Sequence, residues 1–326
     1  MAMLNFILQR SAQAVVVLLL MSVLVFVAVY AIGNPVDILI NPQADQTMRD
    51  ETIARYGLDK SVAQQYLLFL KNALAGDFGT SFVYDSPALG LIFSCLPATL
   101  ELALVAMLLS ICIGVPLGLY AGYRPDGWSA KLIMGGTVLG FSVPAFWMGL
   151  MLILVFAVQL GWLPSGGRGE TVAWLGAEWS VLTLDGWRHL LLPASSLALF
   201  RLALIVRLVR AGVREAIMAD YVKFARAKGV SPLRVMLRHV LPNIMVPLVT
   251  VLGLELGTMI AFAVVTETIF SWPGTGKLVI DSIRTLDQPV VVAYLLLVVF
   301  MFIVINMVVD ILYSMLDPRI RLGGRK

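Results

Sequence analysis

The stretch HLLLPASSLALFRLALIV, from His189 to Val206, decides how this chain is folded. After His189 it is apolar or small throughout except for Arg201 past its midpoint, and it is only slightly shorter than the roughly 20 residues a membrane-spanning helix needs. Counted as a span, it puts everything after Val206 on one side of a bilayer; left out, it puts the same residues on the other. The next residues make the choice. Eight Lys and Arg lie between Arg207 and Arg238, and cytoplasmic loops are the ones enriched in basic residues.

The composition of the whole chain belongs in a bilayer. Of 326 residues, 60% are apolar and 13% charged, with mean hydropathy +0.90, whereas soluble domains carry about 25% charge. Uncharged runs long enough to span occur at Ser11 to Val36, Leu102 to Tyr123, Leu132 to Gly167 and Gln288 to Val309. A fifth, Val240 to Thr266, is interrupted only by Glu255. With His189 to Val206 and an inside N-terminus, the inner segments hold fifteen Lys and Arg and the longer outer segments eight, a density ratio of about threefold in the direction the positive-inside rule requires.

The expected fold is therefore all-α: a polytopic membrane protein with six transmembrane helices and both termini cytoplasmic. Residues 1–36 form an N-terminal anchor helix, and 37–96 an extracytoplasmic loop with short helices. Residues 97–312 form a five-helix core with a cytoplasmic loop at 207–240, and 313–326 a cytoplasmic tail. Val29-Tyr30-Ala31 offers small residues where a signal peptide is cut. The apolar core before it exceeds the about 7 to 15 residues of a signal segment, so the first span reads as uncleaved. In the outer loop, Thr47 with Asp50 and Ser61 with Gln64 fit helix starts, and Gly57 and Gly76 fit stops. Val62, Tyr66, Phe69, Leu70 and Leu74 give the second of these helices one apolar face. Trp162, Trp174, Trp179 and Trp187 crowd the loop after Gly161, as at a membrane boundary.

Several function classes are excluded. Cys95 and Cys112 are seventeen residues apart on one helix, about 25 Å at 1.5 Å per residue and far beyond disulfide reach. Ser271-Trp272-Pro273-Gly274-Thr275-Gly276-Lys277-Leu278 mimics a phosphate-binding loop but lacks its first Gly and its final hydroxyl. His189 and His239 fall at opposite faces of the membrane, and no cluster has metal-ligand spacing. No cofactor, metal or catalytic residue is expected, and the chain is not expected to be an enzyme. The net charge of +4 comes from the inner loops; it fits contact with anionic membrane lipid, and nothing interleaves aromatic with basic residues as nucleic-acid binding would require.

The inner loop reads DYVKFARAKGVSPLRVMLRHVLPN from Asp220 to Asn243. A helix from about Gly212 to Lys228 is expected to stop at Gly229 and restart with Ser231 as N-cap and Pro232 at the first helical position, a helix-turn-helix across the inner surface. Ala225, Ala227 and Gly229 leave little bulk at the bend, with Lys223, Arg226, Lys228, Arg234 and Arg238 around it. On these grounds alone the loop serves either a soluble partner or lipid headgroups. Ala225, Gly229, Leu241 and Pro242 keep the spacing of the E-A-A-x-x-x-G-x9-I-x-L-P loop, while Lys223, Phe224 and His239 depart from it. With Asp220-Tyr221-Val222 and Ala225-Arg226-Ala227-Lys228-Gly229, the segment resembles the coupling loop of ATP-binding-cassette importer permeases of the dipeptide and oligopeptide type, which also includes nickel and glutathione importers. Gly33-Asn34-Pro35, Gly76-Asp77-Phe78-Gly79, Pro97-Ala98-Thr99-Leu100-Glu101-Leu102, Pro144-Ala145-Phe146-Trp147, Gly161-Trp162-Leu163-Pro164, Thr266 to Gly274 and Asp317-Pro318-Arg319-Ile320-Arg321 extend the resemblance along the chain.

That resemblance implies a binding-protein-dependent importer, with peptide as its cargo class. A second similar permease chain would complete the path. Two ATP-hydrolysing subunits would dock on Asp220, Tyr221, Ala225, Arg226, Ala227, Lys228, Gly229, Ser231, Pro232, Leu241 and Pro242, and an extracytoplasmic substrate-binding protein would deliver cargo. The rival readings are a self-sufficient secondary transporter or channel and a non-transporting scaffold.

Charges inside spans mark candidate path residues, because each costs about 2.5 to 3.5 kcal/mol at the centre of a membrane and usually faces a cavity or a partner. Glu255 is first, Arg201 second and Glu101 third; Glu101 and Asp310 also fit helix packing. Gly114, Gly118 and Gly122, like Gly253 and Gly257, recur at the four-residue spacing that lets helices approach closely.

Overall fold

The structure, a computed structural model, describes residues 2–32, 47, 50, 53 and 59–316. Gly33-Asn34-Pro35, Gly57 and Asp317 to Arg321 lie outside the described residues, and of the helix expected before Gly57 only residues 47, 50 and 53 are described, each helical.

The described elements run α1 (Ala2–Ile32), α2 (Val62–Leu74), α3 (Ala88–Tyr123), α4 (Trp128–Ser142), α5 (Ala145–Leu152, continued by a π-helical Ile153–Gln159), β1 (Val172–Trp174), β2 (Ala177–Trp179), α6 (Leu184–Ile217), α7 (Asp220–Ala227), α8 (Pro232–Val235, continued by a π-helical Met236–Val240), α9 (Leu241–Phe262), α10 (Val264–Ile269), α11 (Thr275–Arg284) and α12 (Gln288–Leu316). Among the described residues, four helices are long and apolar enough to cross a membrane: Ala88–Tyr123, Leu184–Ile217, Pro232–Phe262 and Gln288–Ile311. The helix pair Trp128–Ser142 and Ala145–Gln159 makes a fifth if counted as one span. α1 is apolar over Ala12–Ala28, the part of it whose side chains are described.

Three expectations need correction. The uncharged run from Leu132 to Gly167 is not one straight helix, because its two halves meet at 107°. Pro144 has no N–H to continue the ladder, and it forces the residue before it out of the helical region; Val143 is accordingly extended at φ −93°, ψ 127°. The fold is also not wholly helical. Val172 pairs with Trp179 and Trp174 with Ala177 in an antiparallel hairpin, turned by Leu175 and Gly176, both at positive φ. Finally, the helix expected to start near Gly212 is the end of α6, which runs unbroken to Ile217. The segment restarting at Pro232 is likewise the first turn of the next span and not a surface helix.

The chain divides into two compact units, Met1–Pro97 with Pro273–Ile303, and Ala98–Trp272 with Val304–Lys326. In the first, α2 carries the expected capping box, with Ser61 and Gln64 each bonding the other's backbone N–H. Val25, Ile92, Val279, Val290 and Tyr294 form its core. Asp287, fully buried, accepts hydrogen bonds from the Ser81 hydroxyl and the Phe82 N–H. In the second unit the glycine stripe of α3 lies on α6. A methyl group added at Gly114, Gly118 or Gly122 would fall 2.9 Å from Ile205, 2.7 Å from Val209 or 2.6 Å from Val213. The stripe therefore works as its spacing predicts, by removing bulk where two backbones meet.

Candidate functional site

After α6 ends at Ile217, the chain turns at Met218 and Ala219 and enters the short helix α7. Gly229 takes φ +76°, its N–H bonds to the Arg226 carbonyl and the Val230 N–H bonds to the Ala225 carbonyl. That pair of bonds is a Schellman stop, which turns the chain back because glycine tolerates the left-handed conformation. Pro232 then opens α8 as expected. Ser231 has the extended backbone of an N-cap, but its side chain makes no cap hydrogen bond.

The elbow has an inner and an outer side. Val222 and Ala225 are buried against Val209, Val213, Val235, Met236 and Val240. Ala225 is thus a packing residue and presents no surface to a partner. Asp220, Tyr221, Arg226, Ala227, Lys228, Gly229, Ser231, Pro232 and Pro242 are exposed, and Leu241 is half-buried. Phe224 and Leu233, 62% and 70% exposed, were not among the expected contact residues, yet they are the largest apolar groups on this face besides Tyr221 and Met218. In the sequence Phe224 follows Lys223 and Leu233 precedes Arg234, a pattern that does not by itself set them apart from the buried positions beside them. Lys228 lies 4.4 Å over the Phe224 ring and Arg226 5.9 Å over that of Tyr123, so the charges are held over aromatic faces. Beside the elbow, Pro116, Leu119, Tyr120, Leu233 and Leu237 line a cavity of about 480 Å³.

The charged residues inside the spans divide into two groups. Arg201 on α6 and Glu255 on α9 form an ion pair at 2.6 Å, with about a fifth of each side chain exposed or less. Thr258 accepts from Arg201 at 3.3 Å and donates to the Glu255 carbonyl at 2.8 Å. Arg201 also lies 5.1 Å from the Phe200 ring, which meets Phe141 edge-on at 4.5 Å. The two residues singled out separately from sequence are thus one another's partner.

Glu101 has different company. It is 2% exposed and accepts from Arg168 Nε at 2.7 Å, from the Ser180 N–H at 2.9 Å and from the Ser180 hydroxyl at 2.7 Å. Arg168 also donates to the Glu178 carbonyl at 2.5 Å. Its carboxylate therefore ties both flanks of the β1–β2 hairpin to α3, which is an anchoring geometry. A second buried carboxylate, Glu267 on α10, accepts from Thr99 at 2.7 Å. Next to it, buried Trp272 donates from its indole to the Ala98 carbonyl at 2.8 Å. No cluster of three or more potential metal ligands occurs among the described residues. Lys277 of the phosphate-loop mimic is engaged with Asp281 at 2.5 Å.

The chain is thus a helical membrane protein with a structured basic elbow between two of its apolar helices. The chain belongs to the family of binding-protein-dependent transport system inner membrane components. Its model matches residues 114–322, and the model of the family's N-terminal region matches 3–103. The chain is 39% identical to the di/tripeptide transport system permease protein DppB of Pseudomonas aeruginosa, over 98% of this chain and 99% of that protein. It is 37% identical to the glutathione transport system permease protein GsiC of Escherichia coli, with the same coverage. The fold is similar to a chain of the MetNI methionine ABC transporter in an inward-facing crystal form, with TM-score 0.53 at 18% identity over 70% of this chain and 97% of that one. It is a multi-pass protein of the bacterial inner membrane and the permease component of a binding-protein-dependent importer.

Proposed function

We propose that this permease imports short peptides, driven by two ATP-hydrolysing subunits that grip the elbow. A second, similar permease chain completes the path, and an extracytoplasmic binding protein selects the cargo. The chain crosses the membrane six times with both termini in the cytoplasm, α1 and the bent α4–α5 pair supplying two of the crossings. The observation that carries the reading is the elbow. Its Schellman stop and its buried Val222 and Ala225 hold Tyr221, Phe224 and Leu233 outward as a firm surface, and rigid apolar anchors rimmed by charge are what protein interfaces use. Peptide is the cargo class because relatives at 39% and 37% identity are named for di/tripeptide and glutathione transport.

Within the spans, the Arg201–Glu255 pair is the proposed path element. A charge pair between two helices, with part of each side chain left open, offers opposite charges to the termini of a peptide. Glu101 belongs to the outer scaffold that positions the hairpin. The test is reconstitution in proteoliposomes with the ATPases, the second permease and the binding protein. Uptake of a labelled dipeptide that requires ATP and the binding protein, and that is lost in Phe224→Asp, supports the reading. Uptake by this chain alone, driven by an ion gradient, overturns it.

A further inference from the structure

In the first unit an apolar groove of about 390 Å³ runs between α1, α2, α3 and α12. Its size is that of a small-molecule pocket, but its chemistry admits almost no polar ligand. Ser22 is the one hydroxyl residue on its wall, and that hydroxyl is already engaged by the Leu19 carbonyl and the Tyr66 hydroxyl, both at 2.8 Å. An occupant must therefore be hydrocarbon.

The rim indicates where the hydrocarbon comes from. Val15, Leu19, Leu74, Phe93 and Phe300 line the groove and are all large, apolar and 44–83% exposed. On α1 this rim continues into exposed Val16, Leu20, Val23, Leu24 and Val27, a surface that only lipid tails or another apolar helix can cover. The opening is thus continuous with a face suited to the bilayer. One wall of the groove is α2, amphipathic and capped, the kind of helix that rests at the headgroup boundary. Lys71 in its last turn is exposed and lies three residues before Leu74, so it shares a stripe of the helix with that exposed lining residue.

We infer that this groove binds one acyl chain of a phospholipid whose phosphate is met by Lys71. The apolar wall would hold the chain by area alone, and the ammonium supplies preference for an anionic headgroup. The bound lipid would fill the groove that α1, α2, α3 and α12 line within the first unit. This inference does not depend on the cargo, and it stands or falls separately from peptide import.

The test uses the full transporter, assembled with its partner subunits in nanodiscs containing phosphatidylglycerol with a diazirine on one acyl chain. After irradiation, peptides carrying Val15 to Ser22, Leu70 to Leu74 and Leu296 to Phe300 are expected to take at least fivefold more label per residue than the average of the other spans. Ala73→Trp fills the groove and is expected to remove that excess while leaving the label elsewhere unchanged. Lys71→Glu is expected to lower labelling two- to threefold from phosphatidylglycerol but not from a phosphatidylethanolamine probe, and Lys60→Glu, before the start of α2, to leave both unchanged. Label at the groove no greater than elsewhere means a partner helix or nothing fills it and overturns the inference. So does an excess that survives Ala73→Trp. Equal effects of Lys71→Glu and Lys60→Glu overturn the phosphate contact.

Discussion

Replacing Glu101 by Leu removes a carboxylate that accepts three hydrogen bonds, two of them from Ser180 and one from Arg168. The partners stay behind. Arg168, with 11% of its side chain exposed, and Ser180, fully buried, would keep their donors in a site that water scarcely reaches. Breaking one side of a buried ion pair costs about 3–5 kcal/mol, because the surviving charge is left unpaired. Taking about 3 kcal/mol, at 1.4 kcal/mol per tenfold, the opening equilibrium of the loop from Gly166 to Ser180 should shift by roughly two decades. The assay is limited proteolysis of the purified transporter, read as the rate of cutting between residues 166 and 180. Glu101→Leu and Arg168→Leu should each speed cutting by roughly a hundredfold, and the double variant should lie much closer to wild type, since neither charge is then stranded. A single variant cut less than about fivefold faster, or a double variant showing the sum of both effects, would refute the anchoring role.

Three further outcomes follow from the geometry. A Cβ added at Gly229 would meet no neighbour within 4 Å, so its intolerance should come from φ +76°; Gly229→Asn should retain the ATPase subunits on copurification and Gly229→Val should lose most of them, and equal retention would remove the Schellman argument. Gly118→Val adds bulk where even a methyl would sit 2.7 Å from Val209, so the yield of folded protein by fluorescence-detected gel filtration should fall severalfold, and a normal yield would show that α3 and α6 do not touch there. Arg201→Leu and Glu255→Leu should each reduce assembly, while the double variant assembles normally yet fails to take up dipeptide; normal uptake by that double variant would reduce the pair to packing.

Features that depend on neighbours within a few turns were legible in the residues alone. Hydropathy located the long apolar helices, the four-residue glycine spacing marked the seam of α3, Ser61 with Gln64 predicted the start of α2, and Gly229 with Pro232 predicted the elbow. Each rests on backbone geometry or side-chain size at short range, which the residue types carry with them. The buried carboxylates are another matter. Glu101 finds Ser180 seventy-nine residues on and Glu267 finds Thr99 across one hundred and sixty-eight, pairings that no periodicity encodes. Pro144 was visible, but unbroken hydrophobicity around it hid a 107° bend. The short β1–β2 hairpin lies in a loop whose tryptophans alone drew notice. Only packing decided that Ala225 faces inward while Phe224 and Leu233 face out, and that Arg201 and Glu255 answer one another, because a charge inside a membrane takes whichever partner the folded helices bring within reach.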